Sequence, residues 1–268
     1  MRSALRLGAG AGFTLDEVTC RDDHRRWSPA EESTAHRVVL VRRGRFRRLA
    51  GGRSATLDPT TAYVTAPGEE ERFAHPAGGD VCTSLRLSPA LWHTLAGGPL
   101  PPRPALYADA RLDVAHRRLL RAARAGDPAF ALAEALLPLV AATLTRAAAP
   151  VPTGGGPARV TSAALVDAAR EAIAADHPEA GDLLSLAALL RVSPYRLSRA
   201  FTRELGVSLT HYRNRVRVSR ALDRLEQGEP SLATLAADLG FADQAHLTRT
   251  IRRHTAQTPT TLRHLLTP

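Results

Sequence analysis

A pattern that occurs twice in the C-terminal third most constrains how this chain can fold. Arg191–Gly206 reads RVSPYRLSRAFTRELG, and Gly240–His254 reads GFADQAHLTRTIRRH. In each, a turn leads to a helix-capping residue, Ser193 or Asp243, and the two caps lie fifty positions apart. Such side chains accept from first-turn amides that have no partner within a helix. Pro194 suits the first helical position and Gly206 a left-handed end. A shorter helix precedes each cap. Asp182 heads one, with Leu183, Leu186 and Leu190 inward and Ala187 allowing close packing; Ser231 heads the other, with Leu232, Leu235, Ala236 and Leu239 inward. Leu197 and Phe201, then Leu247 and Ile251, recur one turn apart and point to the core. This spacing predicts an all-helical domain made of two helix-turn-helix units joined by one long helix.

The residues left outside are polar. The first unit presents Tyr195, Arg196, Ser198, Arg199, Thr202 and Arg203; the second presents Gln244, Ala245, His246, Thr248, Arg249, Arg252 and Arg253. Two such helices suit two successive segments of DNA major groove, about one helical turn, ~34 Å, apart. Charge agrees. The chain carries 36 basic residues, all arginine, against 26 acids, a net +10 that favours a polyanionic partner. Arg191–Arg220 holds eight arginines and one acid, Glu204. A solvated helix face is the plain alternative for any single arginine, but caps, turns and core positions all point to the same units.

Residues ~160–268 resemble the DNA-binding domain of the AraC/XylS family of bacterial transcription regulators. The resemblance runs through LLSLAALLRVSPYRLSRAFTRELGVSLTHYRNRVRVSRALDRL and SLATLAADLGFADQAHLTRTIRRHTAQTP, including Ala236, Gly240, Phe241, Arg249 and Pro259. It implies base-edge contacts from Tyr195, Ser198, Arg199, Gln244, Ala245, His246 and Arg249. Arginine can hold guanine bidentately, glutamine can hold adenine, and alanine or a tyrosine ring can meet a thymine methyl. Arg196, Arg203, Arg252 and Arg253 are then expected on phosphates, setting affinity rather than sequence. Double-stranded DNA and RNA polymerase are the implied partners. The chain departs from the pattern at Arg191 and Ala256, where glycine is usual, and at Ile251, Thr255 and Leu262, which replace aromatic residues.

The N-terminal half has a different texture. Short apolar–polar alternations such as HRVVLVRRGRF, broken by Gly44, Gly51–Gly52, Pro67–Gly68 and Pro76–Gly79, predict a small antiparallel barrel or sandwich. Two helices follow. One carries Leu112, Ala115, Leu119 and Ala122. The other, opened by Asp127–Pro128, carries a broad stripe of Phe130, Leu132, Leu136, Leu139, Val140 and Leu144 that needs a partner, the barrel or a second subunit. This half resembles cupin-like sensor and dimerisation domains, but the paired His-x-His pattern of catalytic cupins is absent. A cupin-type metal enzyme is therefore the weaker reading. Cys20, His24, His36, His75 and Cys82 are candidate ligands for zinc or another soft ion. A small organic effector inside the barrel and a domain that only dimerises remain open. A Cys20–Cys82 disulfide would serve only as a redox switch. Arg42–Arg48, with five arginines, reads as an exposed strand face rather than a second polyanion surface.

The expected organisation is thus α+β: a cupin-like domain at 1–148, a Pro/Gly linker at 149–158 and a double helix-turn-helix domain at 159–268. The start lacks an apolar leader, and Phe130–Leu144 is interrupted by Glu134 and Pro138. A cytoplasmic regulator with reduced thiols and no membrane partner is expected, forming a homodimer through its N-terminal domain.

Overall fold

The computed structural model describes residues 1–100, 103, 105–127, 130–149 and 157–267, with 157–161 by backbone alone. Most of the expected linker, and Pro128 of the expected helix start, lie outside the described residues. The chain divides into two compact units, Met1–Ala149 with Thr260–Pro268, and Pro150–Pro259. The last residues thus group with the first unit, not with the helical domain expected over 159–268.

In the first unit the elements are β1 (Arg2–Gly10), β2 (Phe13–Cys20), β3 (Glu31–Glu32), β4 (His36–Arg43), β5 (Phe46–Ala50), β6 (Arg53–Leu57), β7 (Thr61–Thr65), β8 (Glu70–Ala74), β9 (Asp80–Leu87), α1 (Pro89–Ala96), β10 (Leu106–Tyr107), α2 (Ala110–Arg124) and α3 (Ala131–Ala148). The strands make two antiparallel sheets, of order β1-β2-β9-β4-β7-β10 and β3-β8-β5-β6. Strand parity sorts the side chains, because successive residues point to opposite faces. On β4, Val38 and Leu40 join a core with Leu85, Leu112, Leu136 and Val140, under the helices. Val39 and Val41 join Phe46, Leu57, Tyr63 and Cys82 between the sheets.

Ser88 caps α1 and Gly97 closes it in the left-handed region, at φ 69. This helix, Pro89–Ala96, is additional to the two expected. Helix α3 has a mean hydropathy of 1.4 over 18 residues, long and apolar enough by composition to cross a membrane. Its Leu132, Leu136, Leu139, Val140 and Leu144 instead fill the core beneath the sheet. The sheet and its covering helices are therefore the partner of the stripe, except at Phe130, which is 79% exposed. Asp127 accepts from the Phe130 amide at 3.1 Å, but α3 begins later than expected, with Phe130 at its N-cap and no side-chain cap there.

The arginine-rich stretch is not a uniformly exposed face: Arg43 and Arg47 are exposed, but Arg42 and Arg48 are engaged. Arg42 pairs with Glu17, while Arg48 is fully buried against Glu71 at 2.6 Å and lies over the Tyr63 ring. Parity turns Arg48 inward, and burial raises the Glu71 carboxyl despite its arginine partner.

The second unit is helical: α4 (Pro157–Ala174), a 3₁₀ turn at Pro178–Gly181, α5 (Leu183–Leu189), α6 (Pro194–Leu205), α7 (Leu209–Glu226), α8 (Leu232–Asp238) and α9 (Gln244–Thr255). A final helix, α10 (Pro259–Leu266), begins at its edge. Leu186 and Ala187 are buried as expected, but Leu183 is exposed. Phe201 and Tyr212 meet edge-to-face at 5.2 Å and lock α6 to α7.

Candidate nucleic-acid interface

The local chemistry of α6 and α9 positions two similar helices. Ser193 Oγ accepts from the Arg196 amide at 3.2 Å, and Asp243 Oδ1 accepts from the His246 amide at 2.6 Å. Asp182 and Ser231 cap α5 and α8 in the same way. Each N-cap contributes about 1 kcal/mol. Leu197, Ala200 and Phe201 bury one face of α6; Leu247, Thr250 and Ile251 bury the equivalent face of α9.

On the opposite faces, Tyr195, Arg196 and Arg199 are exposed on α6 and Ser198 is half-buried; Gln244, Ala245, Arg249, Arg252 and Arg253 are exposed on α9. Arg199 donates to the Tyr195 hydroxyl at 2.6 Å and lies 5.4 Å from the centre of its ring. This pair, one helical turn apart, presents a guanidinium already oriented by an aromatic ring. Arg196, Arg249, Arg252 and Arg253 have no side-chain ion pair or hydrogen bond among the described residues. Two expected contacts are partly engaged within the protein. Arg203 pairs with Glu204 and hydrogen-bonds Ser162 of α4. His246 turns back over the helix start, where its Nδ1 lies 3.4 Å from the Ala242 amide and its ring meets Phe241 edge-on at 5.3 Å.

The basic run on α7, by contrast, is used largely for construction. Arg215 is fully buried. Arg217 lies over Phe241 at 5.5 Å; burial, reinforced by Arg213, lowers its pKa. Arg220 pairs with Asp176 at 2.5 Å, and Arg224 joins Glu229 and Asp238. Sequence density alone could not separate these from the outward cations, because the neutralising acids Asp176, Glu229 and Asp238 lie outside α7.

The positions where the chain departs from the expected aromatic residues are filled by other buried side chains. Thr255 is buried with its hydroxyl donating to the Ile251 carbonyl at 2.8 Å, and the His211 and His254 rings lie 4.4 Å apart, tilted by 32°. Leu262 is fully buried.

In the first unit, three of the five candidate metal ligands come together. Cys20, His75 and Asp80 converge, and Asp22 and His24 converge on the same His75, ligand atoms in each group lying within 4.8 Å of one another. Cys82 stands beside this cluster, its thiol 3.1 Å from Asp80 Oδ2. His36 does not join. It pairs with Leu87, at the far end of β9 from Asp80, about 23 Å away at the rise of a strand. Parity also turns it to the helix layer, where it stacks on Trp92 at 4.3 Å. Asp22 and Asp80 escape a search for Cys and His; Asp80 is legible only once β2 and β9 are paired, since it sits opposite Cys20. Both cysteines are free thiols, and burial pushes both pKa values up, Cys82 the further. A protonated buried thiol is a poor redox sensor.

Comparison with known proteins fits the helical unit. Residues 186–264 match a family model described as a helix-turn-helix domain. The chain is 33% identical over 82 residues to the arabinose operon regulatory protein of Escherichia coli (strain K12), covering 31% of this chain and 28% of that protein. It is 35% identical over 68 residues to the HTH-type transcriptional activator RhaS of Pectobacterium carotovorum subsp. carotovorum (strain PC1), covering 25% and 24%. The C-terminal domain of AraT, a response regulator from Geobacillus stearothermophilus, aligns with a TM-score of 0.37 and 27% identity over 39% of this chain and 87% of that one. The matches thus span less than a third of the length of these curated relatives. The capped, duplicated units and the matched residues agree: residues 186–264 form a helix-turn-helix domain similar to those of the arabinose and RhaS regulators.

Proposed function

We propose that this chain is a sequence-specific transcription regulator that reads DNA with α6 and α9, each in its own segment of major groove. One observation carries the reading. Arg199 on α6 and Arg249 on α9 stand on outward faces at matching positions of two capped helices, while Arg215, Arg217, Arg220 and Arg224 of α7 are taken up by internal packing and pairing. Tyr195, Ser198, Arg199, Gln244, Ala245 and Arg249 are proposed to contact bases. Arg196, Arg252 and Arg253 are proposed to contact phosphates. Arg203 joins them once it leaves Glu204, and His246 once it swings off Phe241. The activator role printed for RhaS and the operon control printed for the arabinose protein support regulation of transcription, with RNA polymerase as the further partner. The first unit is proposed to act as a sensor and a dimerisation surface, not as an enzyme. A ligand there acts only through different affinities for DNA-competent and DNA-incompetent states.

The test is a set of arginine variants measured on a selected site and on random DNA. Arg199→Ala and Arg249→Ala are expected to lose roughly 1–3 kcal/mol on the selected site and little on random DNA. Arg252→Ala is expected to weaken both alike. Equal losses on the two DNAs for all three variants would overturn the division between reading and anchoring.

A further inference from the structure

We propose that the first unit holds a zinc-type divalent ion at the end of the space between its sheets, bound by Cys20 Sγ, a ring nitrogen of His75 and the Asp80 carboxylate, with His24 completing the set. The inference goes beyond DNA reading and does not depend on it.

The fold brings these residues from three places. Cys20 ends β2 and Asp80 begins β9, directly opposite in the antiparallel register, so both side chains point between the sheets. The turn that follows β8 supplies His75, whose amide donates to the His24 carbonyl at 2.8 Å and so ties the two histidine segments together. Their rings meet edge-on at 5.3 Å. The backbone is tight around the cluster: a Cβ on Gly79 would lie 2.3 Å from the Cys20 carbonyl oxygen, and one on Gly44 would lie 2.3 Å from the Gly79 carbonyl oxygen. No side chain at either glycine fits without moving the strands that carry Cys20 and Asp80.

Among the described residues, two buried atoms of this cluster lack the partners that burial normally demands. The His75 side chain is 8% exposed, and its Nδ1 has no hydrogen-bond partner. Asp80 is 5% exposed, and its Oδ1 has no hydrogen-bond donor. Asp80 Oδ1 does lie 3.0 Å from His75 Nε2, a charge contact that is not aligned as a hydrogen bond. A cation drawn among these groups would satisfy what the protein leaves open. His24 clusters with the same His75 and with Asp22, not with Cys20 and Asp80, and is the proposed fourth ligand. Its Nδ1 lies 2.7 Å from the Arg26 carbonyl oxygen, which fixes the proton there and leaves Nε2 as a bare lone pair.

The donor set decides the kind of ion. One thiolate, imidazole nitrogens and one carboxylate suit tetrahedral zinc or a similar borderline-soft ion, not magnesium or calcium. The balance is simple. The ion displaces the Cys20 proton to solvent, and the thiolate with the Asp80 carboxylate neutralises its two positive charges. Asp22 Oδ2, 3.2 Å from Cys20 Sγ, accepts the thiol hydrogen in the metal-free protein and loses that donor when the ion binds.

The test uses the full-length protein without DNA, stripped with a chelator and titrated with zinc against a chromophoric competitor, then with cobalt(II) as a spectroscopic probe. One ion per chain is expected, with the intense visible bands of tetrahedral cobalt and a near-ultraviolet thiolate-to-cobalt transition. Cys20→Ser should abolish that transition, whereas Cys82→Ser and His36→Ala should retain it. His75→Ala and the near-isosteric Asp80→Asn should weaken zinc binding by more than the roughly 10–100-fold that loss of an outer partner costs. Circular dichroism of each variant separates lost binding from lost folding. No binding by wild-type protein, or a thiolate transition that survives Cys20→Ser in a folded variant, would overturn the proposal.

Discussion

Arg191 and Ala256 adopt left-handed backbone conformations, with φ of 54° and 63°. At the matching points of the other repeat stand Gly240 and Gly206, with φ of 68° and 72°. Each helix-turn-helix unit therefore needs a left-handed residue in its turn and another at the end of its second helix, and each has replaced one of the two glycines. A Cβ in that region costs roughly 1–2 kcal/mol, offset in part by the entropy of an added glycine in the unfolded chain. Arg191→Gly and Ala256→Gly are each expected to raise stability by roughly 1 kcal/mol, read as a higher denaturant midpoint of the helical signal. A lower midpoint would show that the side chains compensate for the strain. Gly240→Ala should act oppositely, since the added Cβ would also sit 3.1 Å from the Arg217 guanidinium.

His116 makes a second residue-scale prediction. It is buried on α2 with Nε2 2.8 Å from Thr83 Oγ1, and burial lowers its pKa to about 3. An unfolded histidine titrates near 6.5. Between those values the unfolded chain binds a proton that the folded chain does not. The stability tied to neutral His116 is therefore full above pH 6.5 and is lost as pH falls towards 3, by up to about 1.4 kcal/mol per unit. His116→Gln, which can keep a polar contact with Thr83, should flatten that loss between pH 7 and 5. An unchanged pH dependence would assign the acid sensitivity to other groups.

Individual elements differ in how far their residues announce them. The caps at Asp182, Ser193, Ser231 and Asp243 are local chemistry, readable four residues at a time, and all four form. Ser193→Ala and Asp243→Ala should each cost about 1 kcal/mol and weaken specific and random DNA binding together, because they loosen a helix rather than a base contact. Loss of specificity alone, with stability unchanged, would contradict the capping role. Helix α1 carries signals as good, Ser88 before Pro89 and Gly97 after Ala96, but its eight residues lie between a strand and a proline-rich stretch and offer too short an apolar period to stand out. The inward turn of Arg48 and the separation of His36 from His75 depend on strand parity and register. Those are properties of pairs of strands, so neither can be read from one segment alone.

Across the whole molecule, the net charge of +10 says little by itself. Arg215, Arg217, Arg220 and Arg224 of α7 and Arg42 and Arg48 of the first unit are buried, stacked or paired, whereas those at the outward positions of α6 and α9 are largely free to meet a polyanion. The duplicated unit was legible from caps and core spacing, and so were its outward residues. The inward engagement of Arg203 and His246 was not, because Ser162 and Phe241 reach them only in the folded domain. Two reading helices on one chain make a geometric demand on DNA that one helix does not. The most direct test is to bind the full-length protein to fragmented genomic DNA from its source at near-physiological salt and to sequence what is retained. The account predicts enrichment of a small set of fragments, each with two short boxes about one helical turn apart. Uniform recovery of all fragments, from the full chain and from the helical unit alone, would contradict it.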